Sequence, residues 1–188
     1  MGSTYYHNLI RQVIESSVAN NWDEAISEWI IVDCEEDEMR EASCICGKEN
    51  IRYLFTIKNK KNGNELSPIG SSCIKKFGRD DLNNEAEIHE EMFELMHAVA
   101  NDRFISLDSK YFSRKLLHAL YNEGAFTANK FNCYDGENDY QFLLKMFNKR
   151  NKEDITVAQN KKIGAIIINS IRPFLVEKLK NKTNSQNV

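Results

Sequence analysis

Along the first stretch of the chain, apolar side chains recur at Tyr6, Leu9, Ile10, Val13, Ile14 and Val18. This spacing gathers them on one face of an α-helix and predicts a helix over residues 5–19. Asn20-Asn21 breaks the period, and residues 22–29 read as a short helix or turn. Trp29, Ile30, Ile31 and Val32 are aromatic or β-branched, which predicts a strand. The mostly charged run 33–41 reads as an exposed loop. IRYLFTI, residues 51–57, predicts a second strand. Asn62-Gly63 signals a tight turn between strands, and residues 65–69, with Pro68 near the end, supply the returning strand. Gly70-Ser71-Ser72 makes a turn, and residues 73–77 open a short helix.

Beyond residue 80 the period is helical throughout. Ile88, Met92, Leu95, Met96 and Val99 form one stripe within 84–101, with acids on the opposite face. Tyr111, Leu116, Leu117, Leu120 and Tyr121 mark a helix over 110–122, which Gly124 stops. Tyr140, Phe142, Leu143, Leu144, Met146 and Phe147 mark another over 138–151. Thr156 is placed to cap a last helix running through Ile163, Ile166, Ile167 and Ile171. Pro173 kinks or ends that helix near Phe174-Leu175, a second piece continues to Lys180, and the tail 181–188 is polar. The pattern predicts an α+β, mostly helical fold. An N-terminal helix and a small β-hairpin module occupy 1–80 and pack with a helical region over 81–188, the two parts able to form a single domain.

The 188 residues, 41% of them hydrophobic, are enough to bury a core. No run approaches the roughly 18 apolar residues that suggest a membrane span, and the first twenty residues lack a secretory signal's apolar run. The expectation is a cytoplasmic protein with no membrane partner. In that reducing compartment five cysteines, an odd number, point to metal before disulfides.

Four of the five cysteines fall within forty residues: Cys34, Cys44, Cys46 and Cys73. Only Ile45 separates Cys44 from Cys46, tighter than the usual two-residue knuckle, and Gly47 suits the close turn that follows a ligand. The hairpin of residues 51–69 can return the chain so that Cys73, at a helix start, faces the first pair. A ligand pair, a hairpin and a ligand at a helix start are what a treble-clef-like or ribbon-like zinc module needs. Cys34 is the expected fourth ligand, with His89, His97, Cys133 and Asp33 as rivals. An all-cysteine site is usually structural. The deaminase signature is missing, as are a Gly-rich phosphate loop, His-Glu-x-x-His and a nucleophile elbow. No catalytic residue is assigned.

The net charge of −3 hides alternating blocks: ten acids and two bases over residues 1–45, two acids and eight bases over 46–79, eight acids and no base over 80–102. The basic block surrounds the cysteines and can meet phosphate. Lys58, Lys60 and Lys61 belong to the hairpin tip, and Lys75, Lys76 and Arg79 can join them. Tyr53 and Phe55 alternate with Arg52 and Lys58, and their shared face serves either base stacking or the core.

The segment CICGKENIRYLFTIKNKKNGNELSPIGSSCIKKFG, residues 44–78, resembles a cysteine module of small zinc-binding proteins from phages, prophages and mobile elements of Gram-positive bacteria. The parts that carry the resemblance are Cys-x-Cys-Gly, Tyr-x-x-Thr-Ile-x-Asn, Pro-Ile-Gly-Ser and Cys-Ile-Lys-Lys-Phe. DYQFLLKMFNKRN and ITVAQNKKIGAIIINSIRPFL look like the remainder of such proteins. The resemblance implies a context, a bacterial host cytoplasm, and no particular reaction. The expectation is a non-enzymatic protein, stabilised by structural Zn2+, that acts on nucleic acid or a nucleoprotein complex. Its acidic segments 33–41 and 80–94 support an alternative, an anti-CRISPR or other anti-defence inhibitor that binds a host effector. A third reading is a metal-dependent, nuclease-like enzyme.

Overall fold

In the computed structural model, which describes residues 4–185, the first amphipathic stretch folds as α1 (Thr4–Glu15) and buries Leu9 and Val13. It ends earlier than its apolar period because Ser17 Oγ turns back onto the Val13 carbonyl at 2.7 Å. The amides of Val18 and Ala19 are then taken by the Glu28 carboxylate, at 2.8 and 3.0 Å. Asn21 caps α2 (Trp22–Ala25) by accepting the Glu24 N–H, and a 3-10 turn (Ile26–Glu28) leads into the sheet.

Among the described residues one antiparallel sheet forms in the order β1-β2-β3. β1 (Trp29–Glu36) pairs with β2 (Tyr53–Asn59) from Trp29 opposite Asn59 to Glu36 opposite Tyr53, with a bulge between Ile31 and Asp33. The strand runs four residues past its apolar signal. Asp33 and Glu35 are exposed, Cys34 turns inward, and Glu36 receives Arg52 at 2.7 Å. A strand with one wet face can carry charges there, which is why 33–36 read as a loop. β3 (Glu65–Ile69) pairs with β2 around the expected Asn62-Gly63 turn, where Gly63 adopts φ +79°. Phe55 is fully buried and belongs to the core with Trp29, Ile57 and Ile69.

The chain then forms α3 (Ser71–Ile74), a 3-10 turn (Lys75–Phe77) and α4 (Asp80–Ala100). It divides into two compact units between Glu90 and Glu91, within α4. In the second unit, Leu95 and Met96 of α4 share a core with Leu116, Leu117 and Leu120 of α5 (Arg114–Asn122), and with Leu143 and Met146 of α6 (Gly136–Phe147). Ile163 and Ile166 of α7 (Val157–Ile166) and Leu175 of α8 (Arg172–Ser185) complete it. α5 starts at Ser113, whose side chain accepts the Leu116 N–H at 3.0 Å. Thr156 caps α7 as expected, in a reciprocal box with Gln159. Pro173 does not end the helix. A π turn (Ile167–Ile171) precedes it and joins α7 to α8. The wider turn accommodates a residue that lacks an N–H and whose ring would strike the carbonyl four positions back. No helix among the described residues is long and apolar enough to cross a membrane.

Candidate metal centre

The segment that links β1 to the cysteine pair is built around one carboxylate. Asp37 accepts the backbone N–H groups of Met39, Arg40, Glu41 and Ala42 at 3.1, 3.0, 2.7 and 2.8 Å. These bonds, that of Ala42 foremost, hold its carboxyl below the usual carboxylate range. Arg40 adopts φ +57° within this turn. The ladder continues beyond the strands through Asp37 N–H to Arg52 O (2.7 Å) and Ile51 N–H to Ala42 O (3.1 Å).

The knuckle follows. Gly47 donates to the Cys44 carbonyl and Cys44 to the Lys48 carbonyl, both at 2.8 Å. Gly47 sits at φ +92°, a conformation that side-chain-bearing residues rarely adopt. The Ile45 N–H reaches the Pro68 carbonyl of β3 at 3.0 Å, and Asn8 of α1 donates its side-chain amide to the Cys46 carbonyl at 3.1 Å. Cys73 enters from α3, its own N–H held by the Gly70 carbonyl.

These constraints bring three thiols together. Cys73 Sγ lies 3.6 Å from Cys44 Sγ and 3.4 Å from Cys46 Sγ, and all three atoms fall within 4.8 Å of one another. Bonds of 2.3 Å to a tetrahedral zinc set neighbouring sulfurs about 3.8 Å apart, close to the spacing found. All three cysteines are buried, and no disulfide forms among the described residues. Cys44 is the thiol held below its usual range. Its thiol is lowered to about 5 by the hydrogen bond from Cys73, then by the backbone N–H groups of Cys46 and Gly70, the latter 3.4 Å away. Burial pushes Cys46 up, and Cys73 rises because its proton serves Cys44. A cation placed among the three would compensate the charge that burial penalises.

Cys34, the expected fourth ligand, is not brought into the trio. β1 holds it opposite Phe55, with its Sγ 3.8 Å from the Glu35 carbonyl. Asp33 is exposed and accepts the Cys34 N–H, and His89 sets its ring edge against Phe55 at 6.2 Å. Cys133 occupies an exposed loop of the second unit at φ +59°.

The six basic residues assigned to binding separate. Lys58 pairs with Glu65 at 2.8 Å and Lys61 with Glu28 at 3.1 Å. Arg79 is built into the fold: its guanidinium donates to the carbonyls of Ile26 and Trp29, at 2.8 and 2.6 Å, and pairs with Asp81. Lys60, Lys75 and Lys76 remain exposed. Glu28 is a buried acid that orders the first unit, and it has no role assigned to it from the sequence. Its only signal was its place between Ile26 and the apolar run from Trp29. No protein-family model matches the chain, and no curated protein or solved structure shows significant similarity to it.

Proposed function

We propose that the first unit is a zinc-stabilised binding module with no reaction of its own, acting on nucleic acid or a nucleoprotein complex in a bacterial cytoplasm. The observation that carries this reading is the trio Cys44, Cys46 and Cys73, with sulfurs 3.4 and 3.6 Å apart in a buried site. Soft thiolates at near-tetrahedral spacing suit zinc among the available divalent metals. The trio ties the β1–β2 connection to α3, and Asn8 holds α1 to the Cys46 carbonyl, so an ion held there would fasten three segments of the first unit at one point. A structural site closes its tetrahedron, and the fourth donor here comes from outside the trio. Two carboxylates of the adjoining segment have structural partners: Glu36 pairs with Arg52, and Asp37 accepts four backbone amides.

Metal analysis of the purified full chain tests the reading. One zinc equivalent per chain is expected, falling below half an equivalent in Cys44→Ser, Cys46→Ser and Cys73→Ser. A wild-type chain purified without chelators that holds less than half an equivalent overturns it.

A further inference from the structure

Ion pairing sorts the eight bases of residues 46–79. Arg52, Lys58, Lys61 and Arg79 face the carboxylates of Glu36, Glu65, Glu28 and Asp81. Lys48, Lys60, Lys75 and Lys76 have no carboxylate partner among the described residues. Lys60 stands apart at the hairpin tip. The other three flank the thiol trio. Lys48 follows Gly47 and sets its Nζ 3.4 Å from Ser72 Oγ, while Lys75 and Lys76 are exposed just after Cys73.

Two tyrosines of α1 join this surface. Lys76 Nζ lies 5.9 Å from the centre of the Tyr6 ring. Tyr5, 50% exposed, stands beside Gly47, 3.9 Å from where a Cβ would project. The ammonium groups of Lys48 and Lys76 and an open aromatic ring therefore line the surface made of α1, the knuckle and the turn after α3, and Lys75 is exposed next to Lys76. The acids of residues 46–79 are Glu65, paired with Lys58, and Glu49, exposed beside Lys48.

We propose that this face binds single-stranded nucleic acid, with phosphates against Lys48, Lys75 and Lys76 and a base stacked on Tyr5. The proposal rests on the reading of the first unit as a nucleic-acid-binding module and names its working surface. Ammonium groups neutralise phosphates without reading sequence, and an exposed ring stacks any unpaired base, which a duplex hides. The lysine-bearing segments are those that Cys46 and Cys73 bring together, so the metal centre sets the spacing of the charges.

The test is a fluorescence-anisotropy titration of labelled oligo-dT and oligo-U with the full chain, its zinc content measured on the same sample. Binding at low salt is expected, weakening as salt rises with a log–log slope of about −2 for three phosphate contacts. The Lys48→Glu/Lys75→Glu/Lys76→Glu variant should bind at least about tenfold more weakly. Tyr5→Ala should bind about five- to tenfold more weakly, and Lys60→Glu within about twofold of wild type. A folded triple variant that binds like wild type, or a Lys60→Glu variant that loses as much as the triple, overturns the proposal and leaves the broader reading standing. Preference for duplex, or an unaffected Tyr5→Ala, overturns the single-strand assignment. If the wild type binds no oligonucleotide, single or double, at low salt, the proposal and the nucleic-acid reading both fall, whatever the zinc content.

Discussion

Asn59, the last residue of β2, donates its side-chain amide to the Glu28 carboxylate at 2.7 Å, and both residues are 1% exposed. The same carboxylate receives the amides of Val18 and Ala19 and the ammonium of Lys61. One acid thus joins the end of α1, the entry to β1 and the hairpin tip. These donors favour the charged form and lower its pKa from 4.5 to about 2. A depressed carboxylate contributes stability that is fully present above the unfolded-state value and is lost as pH falls through the folded one. Glu28→Gln is therefore expected to be less stable than wild type at pH 7, with the gap narrowing between pH 4.5 and 2. Urea unfolding at pH 7 and pH 3 checks this, and an unchanged gap contradicts it.

Both tryptophans lie in the first unit, and Trp29 is fully buried with its indole N–H on Ser17 Oγ at 2.9 Å. Zinc binding to small cysteine modules supplies on the order of 10 kcal/mol of apparent folding free energy. Removing the metal with a strong chelator is expected to loosen the first unit and shift tryptophan emission to the red, with recovery when zinc is restored. The core of the second unit holds no tryptophan, so emission reports the first unit alone. Emission that ignores chelation, in a sample shown to have lost its zinc, speaks against a structural role for the ion.

Cys34 and Cys46 are both buried cysteines near one hairpin, yet only Cys46 contributes a sulfur to the trio. Cys34→Ala is expected to keep one zinc per chain. Cys46→Ser is expected to lose the metal. In the cobalt-substituted protein, the intense thiolate-to-metal band should survive Cys34→Ala and weaken in Cys46→Ser. Loss of the band in Cys34→Ala would make Cys34 a ligand.

What could be read from the chain in advance was local chemistry. Asn62-Gly63 announced the hairpin, Thr156 announced its helix, and Cys-x-Cys-Gly announced a tight turn that the structure closes at Gly47. What could not be read depends on partners distant in sequence. Arg52 meets Glu36 across 16 residues and Lys61 meets Glu28 across 33, so a lysine-rich tip that looked available for phosphate is half committed to the fold. The run 33–41 hid two different structures behind the same composition. Asp33 to Glu36 complete a strand, and Asp37 folds the next five residues around its own carboxylate. Cys34, outside the trio, shows the same dependence. Closeness in sequence suggested a ligand, whereas alternation along β1 turns it toward the core.

Gly47 gives a prediction on which the knuckle depends. Its φ of +92° is open to glycine, whereas an alanine there meets steric strain from its own Cβ, beside the Tyr5 ring at 3.9 Å. The left-handed region costs other residues about 1–2 kcal/mol. Gly47→Ala is expected to lower the stability of the first unit by about that amount. Because the turn sets Cys44 against Cys46, the variant should also hold zinc more weakly in competition with a chromogenic chelator. Gly63 is the control. It has φ +79° with nothing within 4 Å of an added Cβ, and it lies at the hairpin tip away from the thiols. Gly63→Ala meets the same backbone strain, so it should lose comparable stability in urea while its zinc affinity stays at the wild-type value. Equal zinc affinity in Gly47→Ala and wild type would show that the trio forms without the glycine turn.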